Sequence, residues 1–415
     1  MAAEAPGALG GPGFAGANGT EWGMPPSRII PARALAVGLA AVLAVGGCSA
    51  SPTPSPTGSA SDGTGGTSEG GSTSSSTPGS ATSSSPSSSA ATNASGPAVA
   101  LLGSLDVPWS IAMLPDGSSL VSVRNTGEVH HVPKPGSGGR AAVAGTLPIT
   151  RTAGEGGLLG LAVPEDFEAN PVFYAYYSTD NDNRIAAVPW RDGTLGEPQV
   201  IFDGIPMGSN HNGGRIAFGP DGYLYVGTGE AGDTSLSQNL ESLGGKILRL
   251  TPEGKPAPGN PFGGSPIWSY GHRNVQGLAW DSQKRLWASE FGANTWDELN
   301  LIKAGENYGW PEVEGTADNP DFVNPVAQWP TSDMSPSGIA VGPGGAVYLA
   351  ALRGESVWRV PINADGTAGT PTRHLEGTYG RVRDIRFVEG RAWILTNNGD
   401  DDRLMSLPPS DVGAS

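Results

Sequence analysis

A short pattern recurs six times between Ser110 and Asn397, and it constrains the fold of this 415-residue chain more than any other feature. Each copy reads as a small or polar residue, an alternating apolar strand, a turn rich in glycine and aspartate, and a second strand that favours aromatic residues. The copies are SIAMLPDGSSLVSV, GLAVPEDFEANPVFYAYY, RIAFGPDGYLYVGT, GLAWDSQKRLWASE, GIAVGPGGAVYLAA and DIRFVEGRAWILTN. They begin about 45 to 63 residues apart, a spacing typical of repeated four-stranded units.

The repeat predicts an all-β protein, a six-bladed β-propeller of four-stranded antiparallel blades. Further strand candidates complete the units, for example GEVHHV, GKILRL, DELNLI and SVWRV. A pair of β-sandwiches is the alternative, and six periodic copies over one continuous stretch favour the propeller. Strand ends and loops of all blades would then meet at one mouth of a central channel, where ligand sites occur.

Residues 1–48 comprise an N-terminal extension, which lacks any such pattern up to Gly23, and a segment with the plan of a bacterial lipoprotein signal peptide. Two arginines precede an apolar run from Ala34 to Val45, and small residues and Cys48, the only cysteine, follow it. The run is shorter than the roughly 20 apolar residues of a membrane-spanning helix. Its VGGC ending resembles a lipobox and predicts lipid attachment to Cys48; the alternative is an ordinary secretory cleavage site with an incidental thiol. We expect an exported protein, lipid-anchored to the outer face of the cytoplasmic membrane, or secreted.

Composition divides the rest of the chain into a linker and a folded domain. Residues 49–97 are rich in Ser, Thr, Pro and Gly and cannot bury enough apolar surface to offset their ordering entropy, so a disordered tether is predicted. Residues 98–410 form the predicted propeller. A net charge of −16 argues against a nucleic-acid partner, since phosphate binding requires a basic face. The sequence carries no signal for an oligomeric state.

Polar residues stand at the entrances of several predicted blades. His211 precedes the strand of the third copy, where it is either a catalytic base or a polar residue without a catalytic role. The GHRNVQG segment puts Arg273 and Asn274 at the matching place of the fourth copy. Residues two apart on a strand share a face, so both arginines of GRVRD can point into one space at the sixth. Three successive blades thus contribute arginines: Arg273, Arg353, Arg381 and Arg383.

Four converging arginines suggest a ligand with several negative charges, because the guanidinium fork binds carboxylates through two hydrogen bonds. The alternative is that each arginine pairs with a neighbouring acid, such as Asp384. A second dense region, Ser289 to Gly315, combines carboxylates with glycines and offers the oxygen ligands that Ca²⁺ prefers. A solvated acidic loop is the alternative there.

Six segments together resemble the glucose/sorbosone dehydrogenase family: HNGGRIAFGPDGYLYVGTGEAGD, GGKILRL, GHRNVQGLAW, SEFGANTWDELNLI, GENYGWP and GRVRDI. The likeness runs in the right order from about Leu101 to Pro408. The family includes bacterial aldose sugar dehydrogenases that use pyrroloquinoline quinone (PQQ), and its fold is a six-bladed propeller. The resemblance implies PQQ- and calcium-dependent oxidation of aldose sugars at C1 to lactones, with hydride transfer to PQQ and electrons passed to an external acceptor.

The resemblance also implies roles for individual residues. His211 would take the proton from the C1 hydroxyl, and Arg273 would stabilise charge developing on the quinone oxygen. Asn274 would support the cofactor, and Glu155 stands where the family has a glutamine that contacts PQQ. Three arginines would bind the carboxylates of PQQ: Arg353, Arg381 and Arg383.

Two calcium sites follow from the same resemblance. The backbone carbonyls of Gly292 and Ala293 would hold a Ca²⁺ that also binds PQQ, although position 293 is proline in other members. Glu298 and the backbone of Tyr308 would belong to a second, structural Ca²⁺.

Two other departures from the family pattern bear on activity. The Glu155 carboxylate near an anionic cofactor requires a proton or an arginine partner, for instance Arg273. Asn210 stands where an aspartate precedes the histidine, and an amide cannot stabilise an imidazolium by charge, which predicts slower turnover. A non-catalytic propeller that binds a protein or glycan, as the Hedgehog-interacting proteins do, is therefore the alternative function. A calcium-dependent lactonase is a third, disfavoured by arginines at the channel.

Overall fold

The structure is a computed structural model that describes residues 95–150, 154–399 and 401–414. These belong to the compact unit spanning Ser84–Ser415. The predicted signal peptide, Cys48 and nearly all of the predicted linker lie outside the described residues, so the predictions made for them stay predictions. Across the described ranges, no helix is both long enough and apolar enough to cross a membrane.

Six antiparallel sheets make up the described fold, and five of them are built from strands that follow one another in the chain. The strands are β1 (Val99–Leu105), β2 (Pro108–Met113), β3 (Ser119–Val123), β4 (Glu128–Val132), β5 (Ala142–Thr146), β6 (Leu158–Ala162), β7 (Val172–Ser178), β8 (Asn183–Arg191), β9 (Thr194–Leu195), β10 (Gln199–Ile205), β11 (Ile216–Phe218), β12 (Leu224–Gly227), β13 (Lys246–Leu250), β14 (Ile267–Tyr270), β15 (Val275–Trp280), β16 (Leu286–Glu290), β17 (Trp296–Ile302), β18 (Ala327–Pro330), β19 (Pro336–Val341), β20 (Val347–Ala351), β21 (Ser356–Val360), β22 (Thr372–His374), β23 (Val382–Val388), β24 (Arg391–Thr396) and β25 (Asp402–Leu407). Short 3-10 helices occur at Thr234–Leu236, Pro343–Gly345 and Pro409–Val412.

The predicted six-bladed propeller is confirmed. Blade 1 is β2 to β5, blade 2 is β6, β7, β8 and β10 with the short β9 paired to β8, and blades 3, 4 and 5 are β11–β14, β15–β18 and β19–β22. Blade 6 consists of β23, β24 and β25 with β1 as its outer strand. Because β1 pairs antiparallel with β25, the two ends of the domain close the ring in one sheet. The first two strands of each blade are the two strands of one sequence copy.

Strand alternation builds the core between blades rather than within one sheet. Along β7, Phe173, Ala175 and Tyr177 pack toward blade 1, whereas Tyr174 and Tyr176 pack toward blade 3. All five are buried, since successive side chains point to opposite faces of a strand and a neighbouring blade covers each face. A strand covered on both faces can therefore be apolar at successive positions, as β7 is from Phe173 to Tyr177.

A buried polar network closes the centre of the ring. Arg215 at the start of β11 is 1% exposed, and its Nη1 donates to Asp384 Oδ2 at 3.0 Å and to Ser110 Oγ at 3.2 Å. Its Nε donates to the carbonyl of Gln276 at 2.8 Å. Removing one partner of such a buried pair typically costs about 3–5 kcal/mol. The network therefore fixes the inner strands of blades 1, 3, 4 and 6, whose ends carry the polar residues of the channel mouth.

Candidate functional site

A cavity of about 280 Å³ opens at the mouth where the inner strands begin. The predicted arginines of blade 6 do point into one space, because Arg381 and Arg383 both line this cavity. Glu155, which precedes β6, lines it as well. The principal lining side chains are Trp109, Arg124, Glu155, Gln276, Arg381, Arg383 and Asn397.

Arg383 is a buried cation at the floor of this cavity. Its guanidinium donates to three neutral groups, Gln276 Oε1, Ser337 Oγ and Asn397 Oδ1, at 2.9–3.2 Å. Burial, followed by repulsion from Arg124 and Arg381, lowers its pKa to about 9. Within the described residues its Nε has no hydrogen-bond partner. The site therefore holds positive charge that an anionic ligand would stabilise.

The alternative that each arginine pairs with a neighbouring acid fails for the cavity arginines. Asp384 forms its ion pairs with Arg215 and Arg386, each at 3.0 Å, and faces the closed centre of the ring. Among the salt bridges of the described residues, none involves Arg124, Arg381 or Arg383.

Arg273 and Arg353 lie apart from the principal lining of the cavity. Arg273 Nη1 donates to the carbonyls of Phe291 at 3.2 Å and Gly292 at 2.7 Å, and Phe291 in turn lines the cavity. Arg353 is exposed and donates to the carbonyl of Thr331 at 3.0 Å. Burial raises the pKa of Asp297 to about 6, although two backbone hydrogen bonds and the charges of both arginines oppose the shift. Only two of the four predicted arginines thus line the cavity, although the charge of Arg353 acts on Arg381 at its edge.

His211 lies beside the cavity in a left-handed backbone conformation with φ of 54°. Its Nδ1 lies 2.8 Å from Glu230 Oε1, and the two side chains are 12% and 2% exposed. A carboxylate can only accept, so the proton resides on Nδ1 and the Nε2 lone pair is the basic one. Asn210 Nδ2 lies 3.2 Å from Nε2. Glu230 thus places on the His211 ring a carboxylate that Asn210 cannot supply, and slower turnover stays a prediction.

Glu155 holds His211 from the other side. Its Oε2 accepts the His211 backbone N–H at 2.8 Å and lies 3.5 Å from Asn274 Nδ2. Asn274 Oδ1 accepts the Gly213 N–H at 2.9 Å, so this asparagine ties the His211 loop to blade 4. The negative charge of Glu155 opposes the lowering of the pKa of Arg124 and Arg383 that burial causes, so it acts on these two arginines without forming an ion pair with either.

The residues predicted for the structural calcium come together around a small cavity of about 10 Å³, close to the volume of one water or ion. Glu298 and Tyr308 line it with Glu290 and Glu314. Burial and then the charge of Glu290 raise the pKa of Glu298, and Glu314 adds to the shift. A cation would relieve this repulsion, so the donor set fits calcium. In the described parts of the chain, no three acidic, His or Cys side chains form a metal cluster on their own, so backbone carbonyls would have to complete the site.

The predicted PQQ-linked calcium site fits less simply. The Gly292 carbonyl already accepts a hydrogen bond from Arg273 Nη1, so a calcium ion would share that oxygen with a guanidinium. The Ala293 N–H donates to Glu314 Oε1 at 2.6 Å, one of four consecutive backbone N–H groups that this oxygen accepts. The Glu314 carboxylate therefore fixes the backbone of the Gly292–Ala293 turn.

At the ends of the second strands, sequence reasoning missed Arg124, Glu230 and Asn397, and it placed Glu290 only among the carboxylates of the predicted calcium region. Arg124 follows β3, Glu230 comes three residues after β12, Glu290 ends β16 and Asn397 follows β24. The inner strand of a blade leaves the mouth and the second strand returns to it, so both the entrance of the first and the exit of the second reach the site. The available signal was a polar residue directly after the second strand of a copy.

Comparison with known proteins agrees with this geometry. The model of the glucose/sorbosone dehydrogenase family matches residues 105–406. An aldose sugar dehydrogenase of Escherichia coli is 30% identical over 344 residues, which cover 74% of this chain and 92% of the relative. A quinoprotein glucose dehydrogenase of Acinetobacter calcoaceticus is 32% identical over 283 residues, 59% of each chain.

Solved structures share the whole ring. The PQQ-bound form of an aldose sugar dehydrogenase from Streptomyces coelicolor superimposes with a TM-score of 0.70 at 48% identity, covering 76% of this chain and 99% of that one. The apo form of the soluble aldose sugar dehydrogenase from Escherichia coli gives 0.67 at 29% identity, covering 74% and 98%. On the extent of the family match and the shared propeller, this chain belongs to the glucose/sorbosone dehydrogenase family.

Proposed function

We propose that the protein oxidises aldose sugars at C1 to lactones, depends on PQQ and Ca²⁺, and passes the electrons to an external acceptor. The observation that carries the proposal is a cationic cavity beside the His211–Glu230 pair. The names of the relatives support it, since they include aldose sugar and quinoprotein glucose dehydrogenases and a PQQ-bound form.

The cavity arginines suit a tricarboxylate such as PQQ. Arg383 and Arg381 would each offer a guanidinium to a carboxylate, and Arg124 faces them from blade 1. The unpartnered Nε of Arg383 is the donor that the bound anion would satisfy. When bound, PQQ supplies a quinone that accepts hydride.

The chain supplies the proton chemistry and the orientation. His211 Nε2 would accept the proton of the C1 hydroxyl, and the Glu230 carboxylate on Nδ1 would stabilise the resulting imidazolium. Glu155 fixes the backbone of that base through its N–H. Arg273 would stabilise negative charge developing on the reacting oxygen, and Asn274 would hold the loop of His211 against blade 4. Arg353 would add positive charge outside the wall of the cavity.

Calcium would bind at two places in this proposal. Glu298 with the backbone of Tyr308 would hold the structural ion, and the Gly292 and Ala293 carbonyls would hold the ion near PQQ. The acidic cavity around Glu298 supports the first more strongly than the second, because Arg273 already contacts the Gly292 carbonyl.

The decisive experiment is a PQQ titration with Ca²⁺ present, followed by dye reduction with a panel of aldoses. Micromolar PQQ affinity and sugar-dependent dye reduction are expected. His211→Ala should abolish turnover while PQQ affinity stays within about threefold, and His130→Ala, in the His130–Glu128 pair of blade 1, is the matched control. A protein that binds no PQQ with calcium saturating refutes the enzyme and leaves the non-catalytic propeller.

We further propose export and lipid anchoring through Cys48. The support is the sequence alone: an apolar run, small residues and a lone cysteine directly after them. The full chain expressed in a bacterium that processes lipoproteins should fractionate with membranes and incorporate labelled palmitate. Cys48→Ser should lose the label, and a wild-type chain that takes up no label contradicts the proposal.

A further inference from the structure

Ser269, His272 and Glu290 form a hydrogen-bonded row behind the cavity, here called the Glu290 clamp. Ser269 Oγ lies 2.8 Å from His272 Nε2, and His272 Nδ1 lies 2.9 Å from Glu290 Oε2. The arrangement has the connectivity of a Ser–His–acid triad. Ser269 and His272 have no exposed surface, however, so no substrate can reach the hydroxyl and a nucleophilic role is excluded.

The two carboxylate oxygens of Glu290 each accept a hydrogen bond from the dipeptide His272–Arg273. Oε2 accepts from the His272 imidazole, while Oε1 accepts the backbone N–H of Arg273 through a short hydrogen bond. Tyr308 stacks on the His272 ring with centroids 4.7 Å apart. The dipeptide is thus fixed in main chain and side chain by a buried carboxylate, which is an expensive group to bury unless its hydrogen bonds matter.

The Arg273 guanidinium is fixed by the residues next to Glu290. Its Nη1 donates to the Phe291 and Gly292 carbonyls, and its Cζ lies 5.4 Å from the centroid of the Trp310 ring. Arg273 is therefore bound at both ends to the segment 290–292. A shift of Glu290 would move the charged end and the backbone of this arginine together.

The same dipeptide also reaches the base. The Arg273 carbonyl accepts the Glu230 N–H at 2.9 Å, and Glu230 pairs with His211 Nδ1 at 2.8 Å. Two hydrogen bonds thus connect Arg273 to His211 through Glu230. Arg273 and His211 are therefore connected through the backbone of residue 273, and Glu290 fixes that backbone.

We propose that the Glu290 clamp is a positioning device that sets Arg273, and through it Glu230, relative to His211. The inference rests on the proposed dehydrogenase function and concerns alignment of the reacting groups, not cofactor affinity. PQQ carboxylates would contact Arg381 and Arg383, which lie in another blade and do not touch the clamp. Misalignment by about 1 Å can cost on the order of 100-fold in rate.

The test is a double-mutant cycle with Glu290→Gln and Arg273→Gln. A glutamine keeps the size of the side chain but has a single acceptor oxygen for two donors. Glu290→Gln should lower kcat about 10- to 100-fold, with KM for the aldose and PQQ affinity within about threefold. Because the clamp acts partly through the Arg273 guanidinium, the loss of kcat in the double variant should be smaller than the product of the two single losses; the part that remains passes through the backbone of residue 273 to Glu230. Asp281→Asn, which alters a carboxylate of the same blade bonded to Arg285 and Trp287, is the control for lost blade stability.

Losses that multiply in the double variant overturn the inference, because the clamp would then act independently of Arg273. A Glu290→Gln defect that excess Ca²⁺ repairs also overturns it, since Glu290 borders the cavity of Glu298 and its effect would run through the metal. If Glu290→Gln does not fold, Ser269→Ala replaces it in the cycle, with a smaller loss expected and the same criterion. A wild-type protein without PQQ binding refutes the proposed function instead, and the clamp's catalytic role with it.

Discussion

Replacing Glu230 by glutamine is the sharpest perturbation of the site, because it removes one charge and keeps the shape. Glu230 Oε1 lies 2.8 Å from His211 Nδ1, and its side chain is 2% exposed. The amide oxygen of a glutamine can still accept the Nδ1 proton, so the ring keeps its orientation. What disappears is the negative charge that faces the imidazolium formed when His211 takes the substrate proton, together with the second acceptor, Oε2, which takes the Gly232 N–H.

The magnitude follows from the geometry. Charge centres about 4 Å apart interact by about 4 kcal/mol at an effective dielectric constant of about 20. The proton is only partly transferred in the transition state and a neutral hydrogen bond remains, so we expect about half of this, ~2 kcal/mol. Since each 1.36 kcal/mol is tenfold in rate, kcat should fall about 30-fold.

The assay is dye reduction by the PQQ-loaded enzyme at saturating aldose, with PQQ affinity measured separately by titration. PQQ affinity should stay within about threefold of wild type. Glu128→Gln, which makes the same change in the His130–Glu128 pair at 3.1 Å on blade 1, should leave kcat unaltered. A Glu230→Gln enzyme with kcat within threefold of wild type would show that His211 does not carry developing positive charge, and the base assignment would fall.

Three further predictions follow from buried charges. Arg383→Gln should weaken PQQ binding about 30-fold in a calorimetric titration, because one charge-assisted contact of about 2 kcal/mol is lost; unchanged affinity would remove Arg383 from the cofactor site. Lys246→Met should lower the free energy of unfolding in urea by about 3 kcal/mol, since the Nζ donates to three carbonyls at 2.6–3.0 Å; a loss below 1 kcal/mol contradicts this. Burial and the charge of Glu290 raise the pKa of Glu298 above 4.5, so the folded state binds that proton more tightly than the unfolded state. With a chelator present, the contribution of Glu298 to stability is therefore full below pH 4.5 and is lost as pH rises through the raised pKa. Added Ca²⁺ should raise Tm more at pH 8 than at pH 5. An equal rise at both pH values would argue against calcium at this carboxylate.

Two side-chain pairings differ from those that the sequence suggests, and both differences have the same reason. Asn210 is the chain neighbour of His211, so the sequence directs attention to it as the partner of the base. The structure places Glu230, 19 residues later, on Nδ1 instead. Asp384 is likewise adjacent to Arg383 in sequence, yet it pairs with Arg215, 169 residues away. Neighbouring residues on a strand point to opposite faces, so proximity in the chain is a poor guide to pairing.

Local sequence signals establish the fold and the general position of the site. Alternation and turn residues are local signals, and six copies of them fix the blade number, the strand pairs and the mouth at which His211, Arg381 and Arg383 meet. The partners of these residues depend instead on tertiary packing, which places Glu230 beside His211, Arg124 as a third arginine in the cavity and Glu290 behind Arg273. These contacts cross blades or join second-strand ends to distant loops. They depend on how far each blade is rotated against the next, and inter-blade packing sets that rotation rather than any repeat in the sequence.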